Sequence, residues 1–269
     1  MLGFFLAAFG VFLGAGKLEV RSFEHAAAND ILSKLQGERK AVNVETHLNG
    51  LFGGVGGDIK EVLITAKEFS TQALPLFTEP DRSKRGIVRN LRIELFNFDL
   101  KNLHVESLKA AIPDCRYDYG LALSKRQIRL SRSGIGLGTV RIKSDDLAKF
   151  ILSKYKEIKS VTVTVSNGKA FVEGYGEFAL LSTKFLIIST LSSPDGKTLE
   201  LANARVFFDD RAAEAASARV LLSKLNPVVH LDKDLGLLDA ISIKGIRLEQ
   251  GYIEAWGDTK IPTKPGNGS

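Results

Sequence analysis

The most regular pattern of apolar and polar positions runs over Ser144–Phe178. Leu147, Phe150, Ile151, Tyr155 and Ile158 recur at helical spacing, which predicts an amphipathic helix. Ser144 is placed to cap it, and Asp145 and Asp146 suit the positive end of the helix dipole. The period then changes to two: Val161, Val163 and Val165 share one side, Thr162 and Thr164 the other. Asn167-Gly168 predicts a two-residue hairpin turn, which sets the register. Val165 then faces Ala170, Val163 faces Val172 and Val161 faces Gly174 on an apolar face. Thr164 opposite Phe171 and Thr162 opposite Glu173 make the other face mixed.

The same reading extends along the chain. Lys17–Gln36 predicts a helix with Val20, Phe23, Ala27, Ile31 and Leu35 as its stripe and Gly37 as its stop. Lys40–Asn49 and Ile59–Phe69 read as strands around the glycine-rich Gly50–Gly57, and Ser70–Gly86 as a long loop. Ile87–Leu103 reads as a long strand with a parity switch, from Leu91, Ile93 and Leu95 to Phe96, Phe98 and Leu100. A bulge, or burial on both sides, produces such a switch. Arg116–Leu123, Gln127–Leu130 and Gly134–Lys143 continue the strand pattern. Ala179–Leu191 and Lys197–Phe208 are strands joined by the turn Ser193-Pro194-Asp195-Gly196. A third helix is predicted over Arg211–Leu225, stopped by Asn226-Pro227. The closing hairpin, Ile241–Ile261, turns at Gln250-Gly251 and pairs Leu248 with Ile253, Ile246 with Ala255 and Arg247 with Glu254. Late in each helix stands a near-copy of one pentapeptide: Ile31–Leu35, Ile151–Tyr155 and Leu221–Leu225. This predicts a recurring element, unless leucine, serine and lysine have simply coincided.

Helices and strands are segregated, not alternating one for one. The fold class is therefore α+β: a large curved antiparallel sheet with a few amphipathic helices packed on it. Glycines within strand patterns, such as Gly136, Gly138, Gly174 and Gly245, would let the sheet bulge and curl. Such a sheet closed by helices encloses an elongated apolar space.

Composition adds little. The chain has 269 residues, enough for one large domain, with 37 basic against 31 acidic residues. The bases are dispersed and no nucleic-acid motif is present, so nucleic acid is not the expected partner. A net charge of +6 suits an anionic membrane surface. Cys115 is the single cysteine, so no disulfide forms within the chain. Met1–Gly16 is apolar and uncharged, short for a bilayer span, and reads as a signal peptide core or N-terminal membrane anchor. The domain then runs over 17–261, and the composition of 262–269 predicts a disordered tail. Within Ser70–Gly86, an apolar tip at Leu76 and Phe77 beside Lys84 and Arg85 marks a candidate membrane-contact loop.

Catalytic constellations are missing from the pattern. His25, His47, His104 and His230 are scattered without metal-ligand spacing, and there is no nucleophile elbow and no P-loop. Gly134, Gly136 and Gly138 have the wrong spacing for a dinucleotide fingerprint. Neither an enzyme nor a metal or other cofactor is expected. His230 reads as a packed histidine.

The run Leu225-Asn226-Pro227-Val228-Val229-His230-Leu231, followed by the hairpin Ile241–Ile261 with Gly251 and Gly257, resembles the C-terminal signature of the LmeA-like phospholipid-binding proteins. The helix and the Asn167-Gly168 hairpin resemble that family's central element, and the apolar start also fits. Where many members carry an acidic residue this chain has His230. The resemblance implies a tubular lipid-binding, TULIP-like fold and an extracytoplasmic protein of the cell envelope, holding a phospholipid or lipid-linked glycan. It carries over no catalytic residue and no proven ligand residue.

The function expected is therefore binding, and transfer, of a phospholipid in an apolar tunnel that supports envelope lipid or glycolipid metabolism. Burying one methylene gains about 0.8 kcal/mol, so a dry tunnel needs no polar chemistry. Candidate lining residues are Phe23, Ile31, Phe150, Ile151, Tyr155, Leu221 and Leu222, all on apolar helix faces. The alternative is a structural envelope protein whose helix faces are fully packed.

Overall fold

The computed structural model describes residues 20–48, 57–74, 85–125, 127, 129–178 and 181–263. Helix α1 spans residues 20–32. It is followed by β1 (Ala41–Leu48), β2 (Asp58–Lys67), β3 (Ser70–Thr71), β4 (Arg85–Leu100) and β5 (Leu103–Asp118). Then come α2 (Tyr119–Lys125), β6 (Leu130–Arg132), β7 (Gly136–Lys143), α3 (Ser144–Lys154), β8 (Ile158–Ser166) and β9 (Lys169–Phe178). The chain ends with β10 (Leu181–Ser192), β11 (Thr198–Phe208), β12 (Arg211–Ala212), α4 (Ala215–Leu225), β13 (Val229–His230), α5 (Leu231–Leu235), β14 (Ile241–Glu249) and β15 (Tyr252–Thr259). The predicted irregularity of Gly50–Gly57 falls on residues of which only Gly57, in a turn, is described.

The α+β class and the strongly curled, mostly antiparallel sheet are as the pattern predicts. That sheet runs β1-β2-β4-β5-β7-β15-β14, with β3 on β4 and β6 on β5. Among the described residues, only the contacts of β4 with β2 and β3 are parallel. One expectation is enlarged: β8–β12 build a second sheet, ordered β12-β11-β10-β9-β8, with β13 on β11. Helix α3 carries the chain from β7 of the first sheet to β8 of the second, and β14–β15 return to the first beside β7.

Both predicted hairpins form in the predicted register, Val163 against Val172 and Ile246 against Ala255 among the pairs. The predicted apolar face of the first is buried, with Val163, Val165 and Ala170 each 1% exposed. The parity switch in β4 is a kink made by both strands of the β4–β5 pair. Asn97 (φ 48°) and its opposite, Glu106, drop out of the pairing, as do Asp114 (φ 52°) and Arg89. The register is unchanged on either side, so the inward set shifts from Leu91, Ile93 and Leu95 to Phe98 and Leu100. Short polar side chains tolerate the left-handed conformation at Asn97 and Asp114. The curl also needs glycine: a Cβ on Gly136 would lie 2.0 Å from the Ala111 carbonyl oxygen, and one on Gly257 1.9 Å from that of Ser242.

Several boundaries differ from the reading. Leu103–Asp118 is one continuous strand, hidden in the sequence by its kinks at Glu106 and Asp114 and by the weak strand formers Ala110, Ala111 and Pro113. Tyr119–Lys125 is helical where alternation suggested strand, because the Asp118 carboxylate accepts the Leu121 N–H at 2.9 Å and caps it. Lys143, not Ser144, is the N-cap of α3, and Ser144 is buried as its first helical residue. The helix predicted from Arg211 begins at Ala215. His230 is half-buried, and its Nδ1 accepts the Lys233 N–H at 3.4 Å at the start of α5.

The pentapeptide recurs as structure. In each copy the serine hydroxyl donates to the carbonyl three residues back: Ser33 to Asp30 (2.7 Å), Ser153 to Phe150 (2.8 Å) and Ser223 to Val220 (2.9 Å). Each copy closes a helix. Leu35 and Leu225 bury the last position, and Tyr155 half-buries it.

Two apolar clusters hold the molecule. The larger fills the space between the two sheets with Phe98, Leu103 and Val105 from one, Val172, Phe185 and Ile187 from the other, and the inner faces of α3 and α4. The smaller lies in the concavity of the first sheet with α1 and includes Ala27, Val62, Val88, Leu91, Ile112, Cys115 and Tyr117.

Candidate functional site

Where the two clusters meet under α1, the concave sheet is not filled. A cavity of about 130 Å³ remains there. One wall is α1, through Ala27, Asp30 and Ile31, with Leu35 just beyond it. The sheet supplies Ile64 and Ala66 from β2, Leu91, Ile93 and Leu95 from β4, and Leu108, Ala110 and Ile112 from β5. Leu237, Ala240, Ile241 and Ile261 close the third side, and Phe69 and Leu74 one end. The hollow has a simple cause. Ala27, Ala66, Ala110 and Ala240 each bring only one methyl group to the lining, too little to fill the space.

The polar lining is confined to Asp30, Thr259 and Lys260. The Asp30 carboxylate accepts from Arg129 Nη1 at 2.5 Å, and both side chains are largely shielded from solvent. Lys260 is exposed, and its backbone N–H is held by the Ala240 carbonyl at 2.9 Å. Helix α1 is fastened over the space at three places. The Glu24 carboxylate accepts the Thr46 N–H at 2.6 Å, Gln36 and Ser70 exchange backbone hydrogen bonds, and Lys40 Nζ donates to the carbonyls of Leu32 and Leu35. A cation on the last carbonyls of a helix also suits its dipole.

Of the residues proposed from sequence to line an apolar space, Ile31 is on the cavity wall. Phe23 is half-buried and packs against the smaller cluster. The remaining five are placed in the main core, away from the cavity. Phe150, Ile151 and Leu221 are 3–4% exposed there, and Leu222 packs against them. The Tyr155 hydroxyl lies 3.0 Å from the carbonyls of both Leu225 and Pro227, and burial, then Asp234, pushes its pKa up to about 12. These side chains are packed because the second sheet, unforeseen in the sequence reading, covers α3 and α4. Leu76, Phe77 and Lys84 of the candidate membrane loop lie outside the described residues, and Arg85 is exposed at the start of β4. The sequence signal for the cavity was the set of alanines at inward positions of α1, β2 and β5.

Beside the cavity, Cys115 is fully buried, and burial followed by the Asp114 charge raises its thiol to about 12. It is held as an unreactive thiol. Among the described residues, no three His, Cys, Asp or Glu side chains are grouped to hold a metal, and no helix is long and apolar enough to cross a membrane. Compared with family models, curated proteins and solved structures, the chain matches none of them.

Proposed function

We propose that this protein is a lipid-binding module that takes hydrocarbon into the cavity between α1 and the concave sheet. The observation that carries this reading is an apolar hollow, roofed by an anchored helix, with its few polar groups limited to Asp30, Thr259 and Lys260. A dry apolar cavity of this size is a site for hydrocarbon rather than water, because water needs two to four polar partners. In this reading the headgroup stays outside, where Lys260 can meet a phosphate. The chemistry is binding and not turnover. The family resemblance and the apolar run over residues 1–16 support a phospholipid-related ligand and a place at the cell envelope.

The test is lipid extraction and mass spectrometry of the purified protein, together with uptake of a fluorescent phospholipid. Wild-type protein is expected to take up the probe. Ala110→Phe, which projects a ring into the cavity, is expected to lose uptake by tenfold or more while keeping its circular dichroism. Equal uptake by both proteins would overturn the reading.

A further inference from the structure

The size and ends of the cavity limit what it can hold. At one end, Thr259 pairs with Gly136, beside Ile112, which pairs in turn with Leu91; Asp30 and Lys260 are the other polar wall residues. At the other end, Phe69 is level with Phe98, since its carbonyl accepts the Asp99 N–H. The Phe69 ring touches the cavity and stacks on Phe98, with centroids 5.0 Å apart and planes 10° from parallel. Phe98 is 0% exposed and does not line the cavity, so this stack closes that end of the hollow. A cavity of about 150 Å³ in another protein accepts benzene, so the 130 Å³ here has room for a single chain of about six carbons.

Resting on the lipid-binding reading above, we propose that the ligand is a single-chain amphiphile. Its chain enters methyl end first from the Thr259 side and stops at Phe69, so that contacts beyond about six carbons add nothing. A diacyl lipid engages by one tail tip only, and its second tail remains outside. Alanines at Ala27, Ala66, Ala110 and Ala240 set the bore, and Phe69 sets the depth.

The experiment is calorimetric titration of the full chain with alkylphosphocholines of three to sixteen carbons, each below its micelle concentration. The dissociation constant is expected to fall about fourfold per methylene up to roughly six carbons and then to level off. Phe69→Ala should move the break to longer chains, and Ala66→Leu should move it to shorter ones. Each variant is checked for a cooperative unfolding transition, and Ala66→Leu keeps the test open if Phe69→Ala fails to fold. Affinity that climbs at the same slope to sixteen carbons, or a break that neither variant moves, overturns the single-chain limit and leaves lipid binding standing. No binding by any member of the series overturns both readings.

Discussion

The long β4–β5 hairpin passes through two interiors built to different standards. At the end near its turn, Phe98, Leu100, Leu103 and Val105 interlock with α3, α4 and the second sheet, each 3% exposed or less. Around the middle of the same strands, Leu91, Ile93, Ala110 and Ile112 face α1 across unfilled space. The backbone is the same and so is the apolar pattern. The difference is in the opposing side: two layers of large side chains in one case, a single helix carrying Ala27 and Ile31 in the other. An apolar stripe therefore states that a face is turned inward. It does not state that the inside is full.

Truncations in the two regions should separate them most strongly. Phe98→Ala leaves a hole in a packed region and is expected to cost about 3–5 kcal/mol by urea denaturation. Leu91→Ala only widens an existing hollow and should fall at the lower limit for such changes, about 2–3 kcal/mol. Equal costs would remove the distinction between a packed and a hollow interior.

The next effect belongs to the packed region alone. Lys154 Nζ donates to the carbonyls of Pro227 and Val228 and to the Asp234 carboxylate at 2.6 Å, tying the end of α3 to the approach to α5. Lys154→Met strands these acceptors and is expected to cost about 2–3 kcal/mol, checked by the same denaturation. Filling the hollow should act with the opposite sign. Ala27→Leu is expected to raise stability by about 0.5–2 kcal/mol without ligand, because the added carbons enter space already present. A comparable enlargement at Ala148 in the packed cluster should destabilise instead.

The smallest effect at neutral pH is an alkaline one, carried by Cys115 and Tyr117 in the smaller cluster and Tyr155 in the packed one. Cys115 and Tyr155 both hold their protons more tightly when folded, with pKa values raised from 9.0 and 10.0 to about 12. Their contributions are fully present below pH 9 and are lost as pH rises toward about 12, where the unfolded chain has already released those protons. Denaturation midpoints measured from pH 8 to 11.5 should therefore decline. Cys115→Ala should flatten the decline from about pH 9, and Tyr155→Phe a share of the decline from about pH 10, to which the buried Tyr117 also contributes.

Local pattern was enough for much of this molecule. The Asn167-Gly168 and Gln250-Gly251 hairpins could be paired residue by residue, because a two-residue turn fixes register and period-two alternation fixes the faces. The pentapeptide was legible as a recurring helix end, since its serine bonds within its own helix. What lay across the chain was not legible. The kinks in β5 broke the alternation that would have marked it as one strand, and nothing local distinguishes a helix face covered by one sheet from one held between two. So Phe150, Ile151 and Leu221, which read as lining, became core, while Ala66, within a predicted strand, and Ala110, in a stretch given no element, became cavity wall. Secondary structure, register and inward faces follow from neighbours in sequence. Whether an inward face meets side chains or empty space depends on the volumes of residues distant in sequence, and only the assembled sheets and helices set that.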